Sequence, residues 1–270
     1  EDAAVLDGFS SESSRKQLQY ENLLKDSISP QTIENHLKWL TSRPHRAGTE
    51  GARITAEYIL QHLKQFGFQT EMVVYDAYLP APVSVEIQLT KRVQETIPTT
   101  EEKTEGDPFT EFVNDQAGWN GYSPSGEATA QIVYAHHGSK DDFKKLKELG
   151  IDIKGKILLM RYFGTGEGTK IQNAEEAGAA AVVLYSDPAE DGFKYGEVYP
   201  KGDWRPAGSI MRRSILNLEG SETLTPGWAS KPGARRLKPE DVHLPKIPVL
   251  PISYKSAQGI VSFLDGPSVA

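Results

Sequence analysis

Six histidines, at positions 36, 45, 62, 136, 137 and 243, are the side chains here best suited to metal or proton chemistry. None lies in an H-E-x-x-H pair and no His-x-Asp pair occurs, so no single element offers two ready zinc ligands. The densest cluster is His136-His137 with Asp141-Asp142. Neighbouring residues on a strand point to opposite faces, so only one of the two histidines is expected to face a shared ion. The cluster therefore reads as a solvated strand end. His36 and His62 read as surface or packed helix residues, and His45 as a loop residue without a local carboxylate. The run Gly164-Thr165-Gly166-Glu167-Gly168-Thr169-Lys170 has the strand-before, helix-after setting of a phosphate loop. It lacks both the Gly-Lys-Ser/Thr ending and the G-x-G-x-x-G spacing, and Glu167 would repel a phosphate. No G-x-S-x-G elbow is present. The pairs Glu101-Glu102, Asp141-Asp142 and Glu175-Glu176 read as solvated surface. No complete catalytic constellation is visible.

The chain that must position these residues has 270 of them, with 30 basic and 37 acidic side chains and a net charge of −7, which argues against nucleic-acid binding. Hydrophobic content of 38%, charged content of 25% and 17 prolines fit a loop-rich globular chain of one large or two small domains. No apolar run reaches 18 residues. Zero cysteines exclude a disulfide framework, a thiolate metal site and a cysteine nucleophile. The first residue is Glu1, and the last, Asp265-Gly266-Pro267-Ser268-Val269-Ala270, arrive as a helix gets under way, so both ends read as trimmed.

Residues 10–24 read as a marginal amphipathic helix. Ser29-Pro30 is a helix start, with Ile33, Leu37 and Leu40 recurring behind it at helical spacing. After the 42–49 loop comes a second helix over 50–66, closed by Gly67, and then a strand over 69–75. A boundary is expected at Leu79-Pro80-Ala81-Pro82, dividing the chain into 1–78 and 79–270. Beyond it the pattern predicts strands at 83–89, 131–134, 156–161, 181–185 and 247–252. Helices are expected at 141–149 and 171–177, with a third from Lys255, and 96–115 reads as an irregular excursion. The order fits an α/β (α+β) module.

Several segments in order resemble one family. They are Pro44-His45-Arg46-Ala47-Gly48-Thr49-Glu50, Tyr122-Ser123-Pro124-Ser125-Gly126, Asp142-Phe143-Lys144-Lys145-Leu146 and Gly155-Lys156-Ile157-Leu158-Leu159-Met160-Arg161-Tyr162. The strongest is Asn173-Ala174-Glu175-Glu176-Ala177-Gly178-Ala179 leading into Leu184-Tyr185-Ser186-Asp187-Pro188. Ile215-Leu216-Asn217-Leu218, Leu224-Thr225-Pro226-Gly227-Trp228 and Leu244-Pro245-Lys246-Ile247-Pro248-Val249-Leu250-Pro251-Ile252 continue it. Together they resemble glutamate carboxypeptidase II-type proteins, zinc peptidases of the M28 family with an inserted protease-associated (apical) domain.

The resemblance implies that residues 1–78 are the first piece of a peptidase domain and residues 79–270 most of the apical domain. It implies an exopeptidase of carboxypeptidase or dipeptidase type acting on small peptides, and a homodimer in an exported or extracytoplasmic setting. The two zinc ions and the general-base glutamate belong to the remainder of the peptidase domain, so no catalytic or zinc residue is expected in this chain, which alone should be inactive. Glu167 falls where the family places a substrate-binding arginine, and Arg205 falls near a pocket asparagine. A carboxylate at 167 would disfavour acidic substrates and leave basic or neutral ones. The backbone carbonyls of Thr225 and Trp228 match positions that hold a structural calcium, a cation suited to oxygen ligands; a plain proline–glycine turn is the alternative. The same architecture occurs in non-catalytic proteins like transferrin receptor and, in part, in free-standing peptide-binding protease-associated modules. An apolar face over 33–75 is expected to lack cover in this chain alone.

Overall fold

The computed structural model describes residues 5–103, 105–106, 108–111, 117–217 and 222–266. Part of the expected 96–115 excursion, Leu218 and the chain end at 267–270 lie outside the described residues. The chain divides into two compact units, residues 1–71 and 72–270. Met72 opens the second unit because the chain just after it is sewn into that unit: the Asp76 amide donates to the Ser230 carbonyl at 2.7 Å and the Tyr78 amide to Glu222 Oε1 at 2.9 Å.

The first unit is helical. Helix α1 (Ser11–Ser27) starts on Ser10, whose hydroxyl accepts from the Ser13 amide at 3.2 Å. Helix α2 (Pro30–Leu40) starts on Ser29 with Pro30 in the first turn, and α3 (Glu50–Gln65) starts on Thr49. An aromatic cluster joins α2 to α3. Trp39 and Tyr58 stack with centroids 3.7 Å apart, and His36 Nδ1 meets the Tyr58 hydroxyl at 2.7 Å. No residue of either helix is buried, and Ile33, Leu37, Ile59 and Phe66 stand exposed. Residues 69–75 form no strand: they alternate as a strand would, but among the described residues no ladder partner lies beside them.

The second unit is built on a four-stranded parallel sheet in the order β3-β4-β5-β6: β3 (Ile132–Tyr134), β4 (Ile157–Arg161), β5 (Ala181–Tyr185) and β6 (Val249–Ile252). Registers such as Leu158↔Val182 and Val182↔Val249 align its centre. Because side chains alternate, Leu158, Met160, Val182 and Leu184 face one core with Ile171, Ala174 and Ile215. Leu159, Val183, Tyr185 and Ile252 face the other, against Ile97, Ala257 and Ile260. Burial on both faces explains why these strands read as unbroken apolar runs. Helix α4 (Lys140–Glu148) carries β3 to β4, α5 (Glu167–Glu176) carries β4 to β5, and α6 (Tyr254–Val261) follows β6.

A two-stranded antiparallel ribbon, β1 (Ile87–Leu89) with β2 (Glu95–Ile97), pairs Ile87 with Ile97. The expected strand at 83–89 shrinks to its last three residues, and β2 falls where irregular chain was expected; Ile97, 2% exposed, explains it by plugging the second core. Helix α5 begins at Glu167, earlier than the expected 171, so the glycine-rich run is half loop and half first turn.

Candidate functional site

In an open parallel sheet the crevice beyond the carboxyl ends of the strands is where ligands collect. Here that edge gathers charged side chains from three consecutive strand exits. His136 and His137 follow β3, Arg161 ends β4, and Asp187 and Glu190 follow β5. His136 Nδ1 lies 3.0 Å from Asp142 Oδ1, and its Nε2 faces Arg161 Nη2. Asp142 caps α4, its other oxygen accepting from the Ser139 amide at 2.9 Å and the Ser139 hydroxyl at 2.7 Å. His137 Nε2 meets Glu190 Oε1 at 2.5 Å. Arg161 Nη1 lies 3.6 Å from Asp187 Oδ2 and 4.0 Å from Glu190 Oε2.

The two imidazoles sit with centroids 4.0 Å apart, on one side of the chain. The expectation that they diverge fails because β3 ends at Tyr134 and His136 has φ +51°, outside strand geometry. Even so, each ring is committed to a carboxylate or to Arg161, and among the described residues no group of three or more His, Asp or Glu side chains is arranged to hold a metal. The residues present do not fit a zinc centre.

Glu167 occupies the first turn of α5 with its side chain 15% exposed, 3.4 Å from the Arg213 guanidinium. That guanidinium also lies over the Phe163 ring at 5.3 Å. The free-carboxylate repulsion expected at 167 is therefore offset by Arg213. The Arg213 backbone is held from below: Asn120 Nδ2 donates to its carbonyl at 3.0 Å and to the Tyr162 hydroxyl at 2.9 Å, and that hydroxyl donates to the Met211 carbonyl at 2.9 Å. Burial raises the Tyr162 phenol's pKa, keeping it a neutral donor. Lys170, fully buried on α5, donates its Nζ to the carbonyls of Arg161 and, at 3.0 Å, Phe163, closing the β4–α5 loop. Its pKa is pushed down to about 8 by burial.

The structure does not join Glu167 to Arg205. Arg205 Nε pairs with Asp191 at 2.6 Å and its Nη1 donates to Ser209 at 3.1 Å, in a cleft of about 860 Å³ lined also by Glu101, Tyr199, Asp203 and Trp204. Thr225 and Trp228 share one turn, in which the Trp228 amide donates to the Thr225 carbonyl at 3.2 Å. The nearby carboxylate, Glu222, accepts from the amides of Tyr78 and Leu224 and from the Thr225 hydroxyl, and pairs with Arg236 at 3.5 Å. Burial, the largest single influence, pulls its pKa up, but these bonds and Arg236 together hold it below the usual carboxylate range. With that carboxylate committed, the turn does not complete a calcium site from its own residues.

Sequence reasoning missed Arg161, Asp187, Glu190 and Arg213. The first three had an available signal, since each lies at or just past the carboxyl end of a strand whose position was legible. Arg213 had none, because its loop belongs to no periodic element.

Residues 126–218 match the family model described as the PA domain. That match spans β3, α4, β4, α5 and β5 of the second unit. Over 259 residues, 90% of this chain, it is 34% identical to a protein named glutamate carboxypeptidase 2 homolog from Caenorhabditis elegans, of which that stretch is 33%. It is 36% identical over 205 residues to a probable glutamate carboxypeptidase of Arthroderma benhamiae, covering 74% of this chain and 28% of that one. A zinc aminopeptidase structure from Bacillus subtilis matches 84% of this chain and 40% of its own at 17% identity and a TM-score of 0.42, too loose a likeness to carry an argument. The chain spans about a third of the length of the curated relatives it matches. It is similar through nearly all of its length to proteins named glutamate carboxypeptidases, and over residues 126–218 to the PA domain.

Proposed function

We propose that this chain is the N-terminal and apical part of a zinc-dependent exopeptidase of carboxypeptidase or dipeptidase type that hydrolyses small peptides. The observation that carries the reading is the 34% identity over 259 residues to a glutamate carboxypeptidase homolog, which runs through both units and beyond the PA domain. The two zinc ions and the general base belong, in this reading, to the remainder of its own peptidase domain. When bound, such ions polarise the scissile carbonyl and activate a water. The part played by this chain is to shape the mouth of the cleft. The first turn of α5 and the segment held by Asn120 present Glu167 and Arg213 as a near-neutral pair, and Lys170 and Tyr162 hold that pair in place. A fixed pair of opposite charges selects among peptide ends by orientation more than by net charge. Arg205, in a separate cleft with Asp191, is a second candidate contact for the substrate. Homodimerisation, an exported or extracytoplasmic setting and a calcium at the Thr225–Trp228 turn, completed by ligands from elsewhere in the protein, belong to the same proposal.

The test is hydrolysis of short peptides by the intact protein, with and without a zinc chelator. Release of a terminal residue that stops on chelation and returns with added zinc is the expected result. A protein that binds such peptides without cutting them would instead be a receptor or peptide-binding module.

A further inference from the structure

His136 is wired on both sides. Asp142 Oδ1 can only accept, so the Nδ1 facing it at 3.0 Å carries the proton, and Nε2 is left with a lone pair for Arg161 Nη2. This arrangement exists only while the ring is neutral. A second proton on Nε2 would set an N–H against an N–H and two positive charges side by side. Burial, Arg161 and His137 depress the His136 pKa, and Asp142 only partly offsets them.

The alternative position for Arg161 is already built. Asp187 and Glu190 lie 3.6 and 4.0 Å from Arg161 Nη1, and both Glu190 Oε2 and Arg161 Nε are buried without a hydrogen-bond partner. A modest swing of the guanidinium would satisfy both orphans, each of which now bears a desolvation cost. The charged groups around His136 are thus Asp142 from α4, Arg161 from β4, His137 beside it, Asp187 and Glu190 after β5, and Lys170 from α5, whose Nζ holds the Arg161 carbonyl. The β4–α5 loop is coupled to this cluster at two points. Lys170 bonds the carbonyls of Arg161 and Phe163, and Gly164, at φ +67°, lies so close to His137 that an added Cβ would come within 2.5 Å of the ring.

We propose that His136 is a proton-operated latch: protonation at Nε2 releases Arg161 to Glu190 and Asp187 and loosens the 162–166 loop that carries Glu167 and the start of α5. The latch goes beyond the peptidase reading and does not depend on it. The sign follows from linkage. The closed arrangement binds one proton fewer, so it holds above the ordinary histidine pKa and gives way as pH falls through the lower value of the closed state.

The test is amide hydrogen exchange of the peptide covering 162–170 in the intact protein, corrected for the intrinsic pH dependence of exchange and compared with the titration of His136 read from its own C2–H exchange. Loop exchange should rise at the His136 midpoint, by about tenfold for each unit by which the closed state holds that pKa down. His136→Gln, which keeps an acceptor but cannot titrate, should flatten the curve. Glu190→Gln, which weakens the alternative partner, should move both the His136 midpoint and the loop opening to lower pH. A loop whose exchange stays flat while His136 titrates, or an opening that persists unchanged in His136→Gln, would overturn the latch. So would a Glu190→Gln midpoint that does not move.

Discussion

Glu167 and Arg213 face each other across 3.4 Å, one in the first turn of α5 and the other on the segment held by Asn120 and Tyr162. Two residues far apart in sequence thus set the charge at one spot, and neither can be read without the other. If this spot faces the peptide end, the two single substitutions should act in opposite directions. In the intact protein, Glu167→Gln should raise kcat/KM for peptides with an acidic end relative to matched basic ones, and Arg213→Met should do the reverse. The expected change is about two- to fivefold, the range for a partly exposed charge. A ratio that stays fixed in both variants would take the pair out of the substrate cleft.

Tyr162 positions that pair through buried polar bonds, so its hydroxyl should matter out of proportion to its size. Tyr162→Phe leaves the Met211 carbonyl without its donor and Asn120 with one acceptor fewer. A loss of roughly 1–3 kcal/mol in chemical denaturation is expected. A loss below a few tenths would mean that water replaces the hydroxyl.

Lys170 offers a test with a pH signature. Lys170→Met removes the donor to two backbone carbonyls and should cost about 2–4 kcal/mol at neutral pH. Because burial lowers the lysine pKa to about 8 in the folded state, the unfolded chain binds more protons between that value and the ordinary 10.5. The wild type should therefore gain stability over that window relative to the variant, and the difference between them should widen as pH rises. A difference independent of pH from 7 to 10.5 would contradict a burial-depressed lysine.

Gly164 is held by backbone and by space at once. Its φ of +67° disfavours any side chain, and a Cβ would meet the His137 ring at 2.5 Å. Gly164→Ala should destabilise by about 1–3 kcal/mol and perturb the His137 resonance in the same variant. An undisturbed His137 would show that the loop sits elsewhere in solution.

The apolar faces of α2 and α3 predict behaviour of the chain on its own. Ile33, Leu37, Ile59 and Phe66 are 58%, 59%, 45% and 62% exposed, a stripe that soluble helices normally cover. The isolated 270-residue chain should bind an apolar dye more strongly than the intact protein and self-associate at micromolar concentration. A monomer that binds no dye would argue against residues 1–71 needing further polypeptide as cover.

The strands of the sheet were legible because β4, β5 and β6 are short apolar runs bounded by turn residues, the pattern of strands covered on both faces. The helix start at Ser29 was legible in the same local way, through a side chain that caps the first turn ahead of Pro30. What escaped was non-local. The 69–75 segment alternates like a strand but has no partner among the described residues, and Glu95–Ile97 becomes a strand because Ile97 fills a core formed by residues far along the chain. The site followed the same rule. Glu167 was picked out by family resemblance, but its electrostatic meaning depends on Arg213, and the His136–His137 geometry depends on a backbone turn that strand alternation does not describe.

We propose above that this chain is part of a metallopeptidase whose zinc ligands lie outside it. The decisive measurement is metal analysis of the intact protein and of the 270-residue chain, each purified without added zinc. About two zinc ions per intact polypeptide and none in the chain alone are expected. Stoichiometric zinc in the chain alone would contradict it and send attention back to His136 and His137, and an intact protein without zinc would contradict the enzyme reading itself.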